Sequence, residues 1–173
     1  RKNNRLVKLV RITAETLSGI PSIIYGLFGL LFFVTALKLR MSLLSGALTL
    51  SIMILPLIMR TTEEALIAVP VEFREGSYGL GAGRLRTVFK VVIPSATPGI
   101  LSGIILSIGR IVGETAALIY TAGTVAEIPG SLFDSVRTLS VHMYALSSEG
   151  FYINEAYATA VVLLVIVAGI NIL

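Results

Sequence analysis

Two uncharged apolar runs, residues 17–37 and 42–59, limit what this chain can fold into more than any other feature it has. A helix needs about 20 apolar residues to cross about 30 Å of hydrocarbon. In lipid the backbone polar groups must be satisfied within the segment, which a helix does and an isolated strand does not. The runs therefore read as membrane helices. Charged residues make up only 14% of the 173, against about 25% in a soluble domain. Residues 98–120, interrupted by Arg110 and Glu114, and residues 156–173 read as further spans. The expected fold is all-α: a polytopic membrane helical bundle in a single domain, 1–173. It has about four visible spans (about 17–37, 42–59, 98–120 and 156–173), a polar loop at about 60–97 and a second polar segment at about 121–155. No signal peptide is visible. The chain opens on Arg1 and its last apolar run stops at Leu173 without a polar flank, the pattern expected of a piece of a longer protein.

Charge placement sets the orientation. Five Lys/Arg precede residue 12, five more lie between Arg60 and Lys90, and the turn between the first two spans carries Lys38 and Arg40. Positive loops stay on the cytoplasmic side, so the amino end and the 60–97 loop are expected inside, with 121–155 outside. The net charge of +4 is then a topological signal, and no nucleic-acid partner is expected. Leu6, Leu9, Val10 and Thr13 recur at helical spacing in the basic opening segment. They describe either an amphipathic helix on the membrane surface or the frayed end of the next span.

The longest polar interval is 70–94, PVEFREGSYGLGAGRLRTVFKVVIP. Before it, Thr61 and Glu64 have capping-box spacing, and Val69 must leave helical geometry because Pro70 follows. A helix is expected from Pro70 to about Tyr78. Gly79, Gly81 and Gly83 supply a turn, tolerating positive φ. Leu85, Val88, Phe89 and Val92 then form an apolar stripe. Further on, Ser131 and Asp134 again have capping-box spacing, before a stripe of Leu132, Val136, Leu139, Met143 and Leu146. Gly26 and Gly29, the pair Gly99 and Gly103, and the pair Gly109 and Gly113 permit close helix approach.

Enzyme chemistry finds no foothold. The chain has no cysteine and one histidine, so thiol catalysis, cysteine metal sites and a histidine triad have no residues to use. His142 reads as a solvated residue. The glycines at 79–83 lack the Lys-Ser/Thr of a phosphate loop. No cofactor and no metal are expected. Arg110 and Glu114 stand apart, since a charge inside a span is costly and faces a cavity or a partner. They form either a neutralised pair locking two helices or a polar point on a substrate path. For the second reading, a guanidinium fork suits an oxyanion.

Glu75-Gly76-Ser77, Gly81, Val91, Ile93 and Pro94 keep the full spacing of the EAA loop of ABC-importer permeases, with Gly76 as the departure from its alanine. The segments GIPSIIYGLFG from Gly19, RTTEEAL from Arg60 and GRIVGETA from Gly109 resemble phosphate-importer permeases of the PstA type, over essentially the whole chain. The PstC type shares the first and last of these patterns, and the stretch 137–150 favours PstA. The resemblance implies a type I importer permease of the MetI-like kind in a bacterial or archaeal cytoplasmic membrane. It also implies a heterodimer with a sister permease, an ABC ATPase dimer inside and a phosphate-binding protein outside. Glu75, Gly76, Ser77, Gly81, Ile93 and Pro94 would then couple the chain to the ATPase, and Arg110 and Glu114 would line the phosphate path. Carriage of another oxyanion such as molybdate or sulfate, or a scaffold or sensor role without transport, are the alternatives.

Overall fold

Helix α1 (Arg5–Ser18) opens the part of the chain described by the computed structural model, residues 5–172. Arg1 and Lys2 of the basic cluster, and Leu173, lie outside it. The chain then turns by 99° between Val7–Ser18 and Ser22–Ala36. The turn falls at Gly19, Ile20 and Pro21, because Pro21 has no N–H to continue the ladder and disfavours helical geometry in Ile20. The first span was expected from residue 17. Instead Leu17 and Ser18 close α1, and the next helix, α2 (Ser22–Gly29), starts after the proline and runs on as a π-helix, Leu30–Ala36. The basic segment is thus no straight extension of the span. It lies against α3 (Leu43–Ala68), where Arg11 forms an ion pair with Glu63.

Between the π-helix and α3, Lys38 and Arg40 both adopt positive φ, +55° and +58°. Ser42 then caps α3, its Oγ accepting the Ser45 N–H at 3.2 Å. Two free N–H groups of the first turn are satisfied from far along the chain, Leu43 by the Asp134 carbonyl and Leu44 by the Leu132 carbonyl, both at 2.9 Å. Pro56 sits buried within α3 without ending it. The helix also continues past Met59, which overturns the capping box expected at Thr61 and Glu64. With residues 57–60 already helical there is no free N–H to cap. Thr61 Oγ1 donates back to the Leu57 carbonyl at 3.1 Å, and Glu64 accepts from Arg60 Nε at 3.0 Å. Val69, before Pro70, leaves the helix at ψ 123°.

Helix α4 (Val71–Gly79) fills the position expected for the loop helix. After a turn, α5 (Arg84–Thr87), a π-segment (Val88–Val92) and α6 (Ile93–Val112) form one 29-residue rod, Arg84–Val112. At 1.5 Å per residue the rod is about 43 Å long. Pro94 lacks an N–H and its ring crowds the carbonyl four residues back; the π-segment just before it opens the ladder where that carbonyl lies. Of the expected apolar stripe only Val92 is buried, against Val69 and Ala96; Leu85 and Phe89 are exposed. The span expected over 98–120 is broken: α6 stops at Val112 and α7 (Ala116–Thr121) resumes after three residues.

The segment after α7 packs against the far end of α3. Asp134 does accept from the Gly130 and Ser131 N–H groups, at 3.0 and 2.8 Å, but it closes a turn rather than a helix. Its neighbours are committed elsewhere, since Leu132 and Asp134 serve α3 and Val136 N–H donates to Ala122. Helix α8 (Leu139–Glu149) therefore starts only after Thr138, whose Oγ1 accepts from Val141 N–H, and Leu132 and Val136 are not on its stripe. His142 is half-buried with Nδ1 3.4 Å from Arg137 Nη1, not freely solvated. Gly150, at φ +74°, ends α8, and α9 (Ile153–Ile172) closes the described chain.

Small residues set how closely these helices meet. A Cβ on Gly103 would lie 2.5 Å from Thr61 Oγ1, and one on Gly99 2.9 Å from Ala65 Cβ. A Cβ on Gly29 would collide with Thr49 and Thr121, and one on Gly26 would lie 2.8 Å from Ala117 Cα. Gly113 has no such close neighbour. The buried polar residues at these crossings bond their own helices: Thr49 Oγ1 to Ser45, Thr121 Oγ1 to Ala117, Ser107 Oγ to Gly103. Three helices are long and apolar enough to cross a membrane, and the bent pair α1–α2 with its π extension makes up to four. The described residues contain no strand. The molecule is an all-α, polytopic membrane protein.

Candidate functional site

Glu75, Gly76 and Ser77 lie on α4, one turn before its end. Glu75 and Gly76 are exposed, and a Cβ at Gly76 would meet nothing within 4 Å. Gly76 therefore leaves room for the alanine of the EAA pattern. Ser77 uses the difference from alanine: its Oγ lies 2.9 Å from Thr87 Oγ1, which is fully buried and also bonds the Gly83 carbonyl. Helix α4 ends in a Schellman motif. The Gly81 N–H donates to Tyr78 at 2.9 Å and the Ala82 N–H to Ser77 at 3.1 Å, with Gly81 at φ +81°. Gly79 remains helical and Gly83 is at φ −72°, so of the three glycines only Gly81 needs to be one. Arg74 Nη2 donates to the Leu66 carbonyl at 2.9 Å, filling an acceptor that the end of α3 leaves free. Ile93 and Pro94 open α6 beside the buried Val92. Arg74 and Thr87 could have been suspected only from their positions beside the motif; neither carries a pattern of its own.

Arg110 is exposed in the last turn of α6. The neutralised i, i+4 pair with Glu114, one of the two readings open from sequence, does not form, because the helix stops between them and Glu114 leaves its face. Glu114 instead accepts from the Ala117 N–H at 3.2 Å with Oε1, and its backbone carbonyl accepts from Ser140 Oγ at 2.6 Å. It fastens the broken span to α7 and α8. Among the described residues the ion pairs are Arg11–Glu63 and Arg60–Glu64, so Arg110 has no carboxylate partner there.

The glycine contacts give the height of this break. Gly99 and Gly103 face Ala65 and Thr61 near one end of α3, whereas Gly46 faces Ala122 near the other. Arg110 lies between, at about the middle of α3, and lines an open cleft of about 430 Å³ with Leu57, Leu106, Gly109, Val167 and Asn171. Non-helical backbone at membrane depth is tolerated where protein or a polar cavity covers it. The arrangement is a guanidinium without a carboxylate partner among the described residues, beside such a break, with Asn171 lining the same cleft. The described residues that line the cleft include no nucleophile and no acid–base pair. Asn171 belongs to no motif, yet from residue 160 to 172 it is the sole polar side chain.

A multi-helix membrane bundle with a broken span at mid-height and a glycine-ended helix at one end has the build of a transport permease. The profile of the family described as "Binding-protein-dependent transport system inner membrane component" matches residues 1–173, and the chain belongs to that family. It is 39% identical over 171 residues to the protein named "Probable ABC transporter permease protein YqgI" of Bacillus subtilis, covering 91% of this chain and 58% of that one. It is 35% identical over 169 residues to the "Phosphate transport system permease protein PstA" of Mycobacterium leprae, covering 96% and 56%. It is 38% identical over 162 residues to a "PstA homolog" of Mycoplasma pneumoniae, covering 87% and 24%. The chain thus spans little more than half the length of the first two. No solved structure matches it significantly.

Proposed function

We propose that this chain forms part of the translocation path for inorganic phosphate in an ATP-driven importer of the bacterial or archaeal cytoplasmic membrane. The observation that carries the reading is Arg110, a charged side chain without a carboxylate partner among the described residues, placed at a helix break midway along the bundle. The PstA names of several relatives favour phosphate as the cargo. A guanidinium offers a planar fork of donors to two oxygens of an oxyanion. Glu114, held by α7 and α8, does not neutralise it.

The chain works with a sister permease in a heterodimer, an ABC ATPase dimer and an extracytoplasmic phosphate-binding protein. ATP hydrolysis takes place on the ATPase partners. Helix α4 sits in a groove of the ATPase, with Glu75 and Gly76 on its surface and Gly81 fixing the turn. Closure of the ATPase pair on nucleotide moves α4, and the rod Arg84–Val112 carries that motion to the break beside Arg110. Phosphate released from the binding protein then meets Arg110.

ATP-driven uptake into vesicles holding the assembled importer, with phosphate, sulfate and molybdate compared, tests the reading. Phosphate uptake well above the other two is expected. Preference for sulfate or molybdate would reassign the cargo. An ATPase rate unchanged by binding protein and phosphate, with no uptake of any of the three, would leave a scaffold or sensor.

A further inference from the structure

The cleft beside Arg110 holds a second polar group that the reading above does not use. Asn171 stands in the last turn of α9, after eleven apolar or glycine-alanine positions. A side-chain amide in such surroundings is costly unless it has a partner or faces a cavity. Its Nδ2 donates to the Val167 carbonyl at 2.8 Å, one turn back on its own helix. That bond uses one N–H, and Oδ1 has no donor among the described residues. The amide lies directly over Gly109, where a Cβ would come within 2.8 Å of Nδ2 and 3.6 Å of Oδ1. Gly109 thus lets the amide lie on α6 immediately beside Arg110, and both side chains line the same cleft.

We infer that Asn171 is a specificity-determining residue of the anion path, its Oδ1 accepting a hydrogen bond from the P–O–H of a protonated oxyanion that Arg110 holds by its charge. The inference rests on the proposal that Arg110 lies on that path. Inorganic phosphate keeps at least one P–O–H at neutral pH, whereas sulfate keeps none. An acceptor oxygen attracts the former and presents only repulsion to the latter. The guanidinium, a donor alone, attracts both. Arg110 therefore supplies affinity for oxyanions in general, and Asn171 supplies the discrimination, because a site built to bond a substrate hydroxyl penalises the ligand that lacks it.

The test is calorimetric titration of the assembled importer, without its binding protein, with inorganic phosphate and separately with sulfate. Asn171→Leu, close in size and without polar atoms, is expected to weaken phosphate about tenfold, the loss of one hydrogen bond to a charged ligand, and to leave sulfate bound at least as tightly as in wild type. Asn171→Gln keeps the amide and is expected to stay within about threefold of wild type for phosphate. Gly109→Ala, which pushes the amide away without removing it, should repeat the leucine result and serves if the leucine variant does not assemble. Arg110→Ala should weaken both anions. Loss of both anions when Arg110 is removed, with Asn171→Leu and Gly109→Ala changing neither anion or both equally, overturns the role of Asn171 and leaves the path standing. Unchanged binding of both anions in Arg110→Ala, or no binding of either anion by wild type, overturns the path itself and the role of Asn171 with it.

Discussion

Arg110 and Gly81 show two ways in which one residue can matter, by charge and by backbone. Arg110→Ala removes the guanidinium from an exposed position in the cleft and leaves the helix intact, since alanine is the best helix former. Phosphate uptake is expected to fall by about tenfold or more, while co-purification with the ATPase is unchanged; unaltered uptake would remove Arg110 from the path. Gly81→Val acts through conformation. At φ +81° a β-branched residue is strained, by at least about 1–2 kcal/mol, although open space surrounds the position. The Schellman turn would loosen, and either co-purification with the ATPase or the uptake driven per ATP hydrolysed should drop. Gly81→Ala tests the same point with less strain and is expected to fall between wild type and valine. A valine variant that assembles and transports normally would dissociate the turn from coupling.

At the scale of elements, the legible features were those set by local chemistry. Pro70 forced Val69 out of the helix, residues 71–79 formed α4, and Gly81 took the left-handed turn at its end. The break between α6 and α7 was hidden, because 98–120 is uncharged except for Arg110 and Glu114, and Gly113 is no rarer in a membrane helix than Gly103. A tertiary bond holds the break, Ser140 Oγ donating to the Glu114 carbonyl, beside the local bond from Ala117 N–H to the Glu114 carboxylate. The same holds for 131–138, where the capping pattern was present but the backbone was claimed by α3 and Ala122. Thr61 and Glu64 misled for the opposite reason, since a helix already under way needs no cap. Arg110 was legible as a candidate from its charge in an apolar run, whereas its lack of pairing with Glu114 depended on the break. The α1–α3 contact, also tertiary, gives a prediction. Arg11 and Glu63 pair across it beside a groove lined by Val7, Val10, Ile58 and Met59. Arg11→Glu should loosen α1 from α3, and adding Glu63→Arg should restore the contact. The chain has no cysteine, so spin labels at Val7→Cys and Met59→Cys report the separation without further changes. A distance distribution that broadens in the single variant and narrows again in the double is expected; equal distributions in all three would assign the docking of α1 to apolar packing alone.

For the whole molecule the proposed function requires that a displacement at α4 reach a break at mid-height. Among the described residues the rod Arg84–Val112 is the covalent element with an end at each place. It is tied to α4 by Ser77 and Thr87 and to α3 by the close contacts at Gly99 and Gly103. A helix carries motion over about 43 Å only if its ladder is stiff, and backbone freedom at one point would absorb the movement. Leu101 and Ser102 are both exposed, so Leu101→Gly with Ser102→Gly softens the rod without removing a packed side chain. The pair costs up to about 2 kcal/mol of helix stability, small enough for the bundle to assemble. ATP hydrolysis by the assembled importer is expected to persist, while phosphate uptake per ATP hydrolysed falls at least severalfold. Leu101→Ala with Ser102→Ala, which keeps the rod stiff, should retain the wild-type ratio. If the glycine pair transports at the wild-type ratio, the motion travels instead through α3, whose last turn Arg74 holds to α4, and Arg74→Ala becomes the variant expected to uncouple hydrolysis from uptake.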